Sequence, residues 1–269
     1  MPHAEVNGHR LHYLRRGRGE PLLLLQGLSG NHMHWGEEFL ALLEQDFELV
    51  AYDHRGVGRS SPTDRPFSIA DLADDATALL DKLAIERVHV LGISMGGMVA
   101  QQLALRHSER VRTLALGCTY AGGGSSALTD PKVIEHLSRL FLSGRVEEAL
   151  HAGFEYNVSA DFARDPAKFE LVRRIAAELP TRLDVMLLQL QAVAAHDTSE
   201  RLHELAMPVL VVHGTEDRML PVSNAYAIAE RIPGARLEIL EGVGHAFWWE
   251  RPERSAQLIR ELAVAPAAQ

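Results

Sequence analysis

One cysteine, Cys118, stands alone in 269 residues. That excludes an internal disulfide and any zinc site built on cysteines. Lysine is almost as scarce: Lys82, Lys132 and Lys168 are the three present, so arginine carries most of the positive charge. Acidic residues outnumber basic ones by 36 to 27, and the net charge of −9 argues against nucleic acid or an anionic membrane as partner. No uninterrupted apolar run approaches the length of a membrane span. The opening Met1-Pro2-His3-Ala4-Glu5 lacks the basic and apolar regions of a signal peptide, so the expected location is cytoplasmic. Cys118, within Leu114-Ala115-Leu116-Gly117-Cys118, reads as buried strand filler rather than a reactive thiol.

What remains is an ordinary globular composition, 46% hydrophobic and 23% charged, long enough for one large α/β domain or two small ones. Residues 4–16 alternate around Asn7-Gly8, a hairpin signal. Pro21 opens Leu22-Leu23-Leu24-Leu25, a run suited to a strand buried on both faces. A helix from Trp35 to about Gln45 and a strand over Phe47–Tyr52 follow. Ser68 reads as the N-cap of a helix carrying Leu72, Ala76, Leu79, Leu80 and Leu83 on one face. Further strands are expected at Val88–Leu91, Val111–Gly117, Pro208–His213 and Arg236–Leu240, with helices at Val222–Arg231 and Pro252–Val264. Between Gly122 and about Ala206 only helical patterns occur, near 131–142, 145–154, 166–178 and 181–194. The expectation is a mostly parallel eight-stranded sheet flanked by helices. Residues 1–121 and 207–269 form its core, and 122–206 a helical insertion between strands 6 and 7.

The chemistry centres on Gly92-Ile93-Ser94-Met95-Gly96, between the apolar strand and a helix over Met98–Leu105. A serine at the tip of so tight a turn holds strained dihedrals. The residues two before and two after it must lack a Cβ for strand and helix to approach. The helix start behind Ser94 offers unpaired N–H groups where negative charge could develop.

A serine nucleophile needs a base and a carboxylate. In an open parallel sheet, functional groups gather beyond the carboxyl ends of strands. Asp217 follows the strand ending in His213-Gly214, and is preferred to its neighbour Glu216. His245 follows the next strand, in Gly242-Val243-Gly244-His245-Ala246-Phe247-Trp248. The order Ser94…Asp217…His245 suits a triad in which His245 takes and returns the serine proton and Asp217 fixes its tautomer. The position after the strand ending at Gly117 holds Cys-Thr-Tyr and no acid.

These stretches, with Gln26-Gly27-Leu28 and Asp53-His54-Arg55-Gly56-Val57-Gly58-Arg59-Ser60, resemble the α/β-hydrolase fold family over essentially the whole chain. The resemblance implies an oxyanion hole made by the backbone N–H groups of Leu28 and Met95. It also implies a structural role for the Asp53–Ser60 loop, in which Arg55 ties loops together, and a cap formed by 122–206. Gln26 stands where many members have histidine.

Serine rather than aspartate at the turn speaks against the haloalkane dehalogenase and epoxide hydrolase branches. Gly96-Gly97-Met98-Val99-Ala100-Gln101, His196-Asp197-Thr198 and Asp217-Arg218-Met219-Leu220-Pro221-Val222 look most like 3-oxoadipate enol-lactonases and small bacterial carboxylesterases. The resemblance therefore implies hydrolysis of a small-molecule carboxylic ester or lactone through an acyl-serine, without a cofactor. Perhydrolase (cofactor-free haloperoxidase), acyltransferase and carbon–carbon bond hydrolase activities use the same triad and stay open, as does an inactive ligand receptor. Trp35, Phe247 and Trp248 are candidate pocket residues. His32-x-His34 has no third ligand at metal-binding spacing, so no metal is expected.

Overall fold

The computed structural model describes residues 2–265, apart from Ser125 and Thr181. Eight strands form one sheet: β1 (His3–Val6), β2 (His9–Gly17), β3 (Glu20–Leu25), β4 (Phe47–Tyr52), β5 (Val88–Ile93), β6 (Val111–Gly117), β7 (Val209–Gly214) and β8 (Arg236–Leu240). Their spatial order is β1-β2-β4-β3-β5-β6-β7-β8. Asn7 and Gly8 both have positive φ, as a two-residue hairpin turn requires, and β1 pairs antiparallel with β2. β2 is also antiparallel to β4, and every later pairing is parallel. The architecture is the expected α/β one.

Alternation along the strands divides the core in two. In β3, Leu23 and Leu25 join the apolar layer that includes Leu72, Leu79, Val99 and Ile228, whereas Leu22 and Leu24 join the layer of Phe39, Leu43, Leu258 and Leu262. The helices over the sheet are α1 (Glu37–Leu43), α2 (Ile69–Lys82) and α3 (Met95–Arg106), joined after β7 by α9 (Ser223–Arg231), α10 (Phe247–Glu250) and α11 (Pro252–Ala263). Ser68 caps α2 as expected: its hydroxyl accepts from the Asp71 N–H, and the Asp71 carboxylate accepts from the Ser68 N–H. Between β6 and β7 lie α4 (Pro131–Leu142), α5 (Val146–Asn157), α6 (Ala160–Ala163), α7 (Pro166–Glu178) and α8 (Leu183–Ala194).

Three local differences from the sequence expectation have physical causes. The helix expected from Trp35 is a 3₁₀ turn over His32–Trp35, broken from α1 by Gly36 at φ 73°. Tucked beside Ser159 and before Arg251, α6 and α10 are single turns too short to leave a periodic signal. α3 starts at Met95, three residues before the apolar periodicity begins, and so carries Gly96 and Gly97 in its first turn. Their helix propensity is poor, but packing dictates them. A Cβ on Gly96 would lie 2.0 Å from the Leu25 carbonyl oxygen, and one on Gly92 would lie 2.2 Å from the Gly96 carbonyl oxygen. Gly96→Ala is accordingly expected to cost about 1–3 kcal/mol by overpacking, measured as a lower urea midpoint.

Candidate active site

Strands β3, β5, β7 and β8 run in one direction, so the segments that follow them emerge at one edge of the sheet. Gln26–Gly30, Ser94, Asp217 and His245 all lie on those segments.

Ser94 joins β5 to α3 with φ 53° and ψ −123°, a conformation costly for a residue with a side chain. Three neighbours hold it there. Its N–H donates to the Gly117 carbonyl at 2.9 Å, and its carbonyl accepts from the Gly97 N–H at 2.9 Å and the Thr119 hydroxyl at 2.7 Å. Met95 is the first residue of α3, so its N–H has no acceptor in a preceding turn. Gly27 to Gly30 form a turn closed by a 3.0 Å bond from the Gly30 N–H to the Gly27 carbonyl, with Leu28 and Ser29 in the middle. A Cβ on Gly27 would sit 3.0 Å from the Ser94 Cβ, so this turn lies directly against the serine.

Asp217 has a fully buried carboxylate with a complete set of donors. Oδ2 accepts from His245 Nδ1 at 2.7 Å and lies 2.9 Å from His213 Nε2, while Oδ1 accepts the N–H groups of Met219 and Leu220 at 2.8 Å each. Burial disfavours the carboxylate, but His245 and His213 outweigh it and hold Asp217 below the usual carboxylate range. Burial likewise disfavours a charged His245, yet the adjoining Asp217 carboxylate reverses the balance and raises its pKa well above the ordinary histidine value. The neighbouring Glu216 is exposed.

Two neighbours escaped the sequence reading. His213 stands four residues before Asp217, and that spacing was the available signal. Cys118 is buried, but it is not merely filler: its thiol lies close to both the His245 imidazole and the Ser94 backbone. Burial raises the thiol pKa, so Cys118 sits there in its neutral form.

The aromatic pocket candidates are placed differently from the catalytic candidates. Trp35, Phe247 and Trp248 are buried in the apolar layer with Phe39 and Ile93, and the Trp248 indole donates to the His34 carbonyl at 2.9 Å. They offer almost no surface to a ligand, so their placement is that of core residues. Aromatic residues beside a motif do not reveal which side of the sheet they enter. His32 and His34 do not converge either: His32 Nδ1 bonds Asp53 at 2.9 Å, while His34 Nδ1 accepts from the Asn31 N–H. His12, His32 and Asp53 do cluster. The Asp53 oxygens, however, already accept from the N–H groups of His32 and Arg59, and the His12 and His32 rings meet edge to face. Arg55 pairs with Asp75 of α2 through two 2.7 Å bonds, consistent with a loop tie.

The helical insertion reaches this edge at several points. The Asn157 carbonyl accepts from the Ala246 N–H at 2.7 Å. Glu250 Oε1 accepts the N–H groups of both Ser159 and Gly244, at 3.0 and 2.8 Å. Gln189 of α8 accepts from the Ser29 N–H at 2.8 Å.

Comparison with known proteins places this arrangement. The family model for the alpha/beta hydrolase fold matches residues 20–252. A relative from Caulobacter sp. (strain K31), named "Putative carbamate hydrolase RutD", is 32% identical over 94% of each chain. The enol-lactonase from Burkholderia xenovorans LB400 superposes with a TM-score of 0.85 at 26% identity, covering 98% of this chain and all of the other. A structure described as "Est816 as an N-Acyl homoserine lactone degrading enzyme" gives 0.80 at 30% identity, covering 97% and 99%. The chain belongs to the α/β-hydrolase family and is a hydrolase.

Proposed function

We propose that the chain is a serine hydrolase of carboxylic esters or lactones, working through an acyl-serine at Ser94. The observation that carries this reading is the 2.7 Å His245–Asp217 bond, at the same sheet edge as a serine held in a strained turn. In this reading Ser94 Oγ attacks the carbonyl carbon while His245 takes its proton. Asp217 holds the imidazole by Nδ1 and stabilises the imidazolium. The N–H groups of Leu28 and Met95 receive the carbonyl oxygen as it becomes an oxyanion. The carbon–oxygen bond to the leaving group then breaks, and His245 returns the proton to that oxygen. Water, activated by the same histidine, releases the acid; in a lactone, acid and alcohol stay in one product. Residues 122–206 act in this reading as a cap over a core of 1–121 and 207–269.

Two structural neighbours described as acting on lactones support the substrate class, and the enol-lactonase covers nearly the whole chain. A carbamate is the second reading, favoured by the RutD relative; it presents the same acyl carbon with nitrogen attached.

Two measurements test the proposal. Purified wild type and Ser94→Ala should be compared on p-nitrophenyl acetate and butyrate, 3-oxoadipate enol-lactone, an N-acyl homoserine lactone and a simple carbamate. Turnover lost in the variant, together with fluorophosphonate labelling at Ser94 in wild type, is the expected result. A wild type that neither turns over these substrates nor labels would instead favour a ligand receptor. The second measurement is the pH profile of kcat/KM. His245 must be neutral to act as base, so activity falls as pH drops through its pKa. Because Asp217 raises that pKa, the acid limb should have its midpoint above about 6.5. Asp217→Asn should move the limb to lower pH and reduce kcat by about 10³–10⁴-fold.

A further inference from the structure

The backbone on both sides of His245 is tied down almost residue by residue. Upstream, the Gly242 N–H donates to the Thr215 hydroxyl and the Val243 carbonyl accepts the Glu216 N–H, each at 2.9 Å. Those two residues therefore follow the loop after β7. Downstream, the Ala246 N–H donates to the Asn157 carbonyl at 2.7 Å, which fixes the peptide that begins with the His245 carbonyl. Between these ties stands Gly244, whose N–H donates to Glu250 Oε1 at 2.8 Å.

Glu250 is brought there by its own short helix. α10 starts at Ala246, whose carbonyl accepts the Trp249 N–H at 2.9 Å and the Glu250 N–H at 3.3 Å. Helical side chains lean toward the N-terminus, so a residue one turn further on reaches back over the segment before the helix. Phe247 and Trp248 pin that turn in the apolar layer. The carboxylate is then a meeting point of two distant segments. Oε1 accepts the Ser159 N–H at 3.0 Å as well as that of Gly244, and Oε2 accepts the Ser159 hydroxyl. Glu250 is buried, and these bonds take the place of a cationic partner. An apolar side chain here would leave two backbone N–H groups without an acceptor. The two segments also touch directly. A Cβ on Gly244 would lie 2.5 Å from the Val158 carbonyl carbon and 2.7 Å from the Ser159 nitrogen.

We infer that Glu250 is a positioning residue for the base: through the Gly244 N–H it holds the backbone that aims His245 at Asp217, with Ser159 as its second attachment. The inference rests on the acyl-serine reading, because the aim of His245 matters to catalysis only if it serves Ser94.

The test compares wild type with Glu250→Met, Glu250→Gln and Glu250→Asp on one p-nitrophenyl ester. The quantities recorded are kcat, KM, the pH profile of kcat/KM and the melting temperature. Glu250→Met keeps the length and removes the acceptors. It should lower kcat about tenfold or more, with KM changed less than about threefold. It should also move the acid limb to lower pH by about half a unit or more, because a His245 less well seated on Asp217 loses the interaction that raises its pKa. Asp217 and Cys118 are the ionisable side chains that raise it, and neither is changed in these variants. Glu250→Gln keeps an oxygen for both N–H groups without the charge, and should stay within about threefold of wild type in kcat with the limb unmoved. Glu250→Asp keeps the charge on a shorter arm and should change in the same direction as Glu250→Met, which it replaces if that variant does not fold. An unmoved limb or an unchanged kcat in Glu250→Met overturns the inference, whatever the melting temperature. A Glu250→Gln displaced as far as Glu250→Met also overturns it, since charge rather than reach would then be what matters. Fluorophosphonate labelling of wild-type Ser94 separates the two failures. Labelled wild type with an indifferent Glu250 overturns this inference alone, whereas unlabelled wild type overturns the serine reading and this inference with it.

Discussion

The close approach of α3 to β3 is the constraint on which the rest of the site depends. Gly96 lies so near the Leu25 carbonyl that no side chain fits, and this proximity sets the sharpness of the turn between β5 and α3. The turn in turn fixes Ser94 at positive φ, with its N–H and carbonyl tied to β6 and to the residues after it. Strain at one residue is tolerated because hydrogen bonds to three neighbours, Gly117, Gly97 and Thr119, over-determine it. Glycine at 92 and 96 is therefore a packing requirement first, and whatever chemistry Ser94 performs follows from where that packing leaves its side chain.

A second constraint is electrostatic. A buried carboxylate is tolerable only when its lone pairs are occupied, and Asp217 has two backbone N–H groups on one oxygen and two imidazoles about the other. The backbone pair comes from its own loop, residues 219 and 220, so the loop conformation and the ionised state support each other. His245 is thereby held in one orientation, with Nδ1 toward Asp217 and Nε2 left for other work. Cys118 places a small, weakly polar thiol close to His245 and to the Ser94 backbone. A neutral neighbour there leaves Asp217 as the carboxylate that sets the histidine's charge balance.

The sheet, its parallel run and the Ser94, Asp217 and His245 positions were legible because each leaves a local signature. The four leucines of β3 alternate between two core layers, and the glycine spacing at 92 and 96 encodes a steric contact. Gln189, Glu250 and Cys118 were not legible for the opposite reason. Their contacts join segments 160, 91 and 127 residues apart, and no pattern within either segment announces the partner. Trp35, Phe247 and Trp248 illustrate a third case: adjacency to a motif was visible, but the side of the backbone they enter was not. His213 lay within reach, since a histidine four residues before an acid on a strand end is a local pattern.

The helical insertion is tied to the sheet edge at several points. Asn157 and Ser159 meet the His245 loop through Ala246 and through Glu250, whose carboxylate oxygen also accepts from Gly244. A Cβ on Gly244 would lie 2.5 Å from the Val158 carbonyl carbon, so this contact, like the one under Ser94, leaves no room for a side chain. Through Gln189 the same insertion meets the loop after β3. Two loops of the sheet edge are thus shaped from outside by one inserted segment, and each anchor uses backbone groups of the loop it touches. Backbone anchoring constrains where the loops sit without dictating side chains elsewhere in the insertion. Outside Gln189 and the Asn157–Ser159 segment, helices α4 to α8 can therefore vary in sequence while the edge that carries Ser94, Asp217 and His245 keeps its geometry.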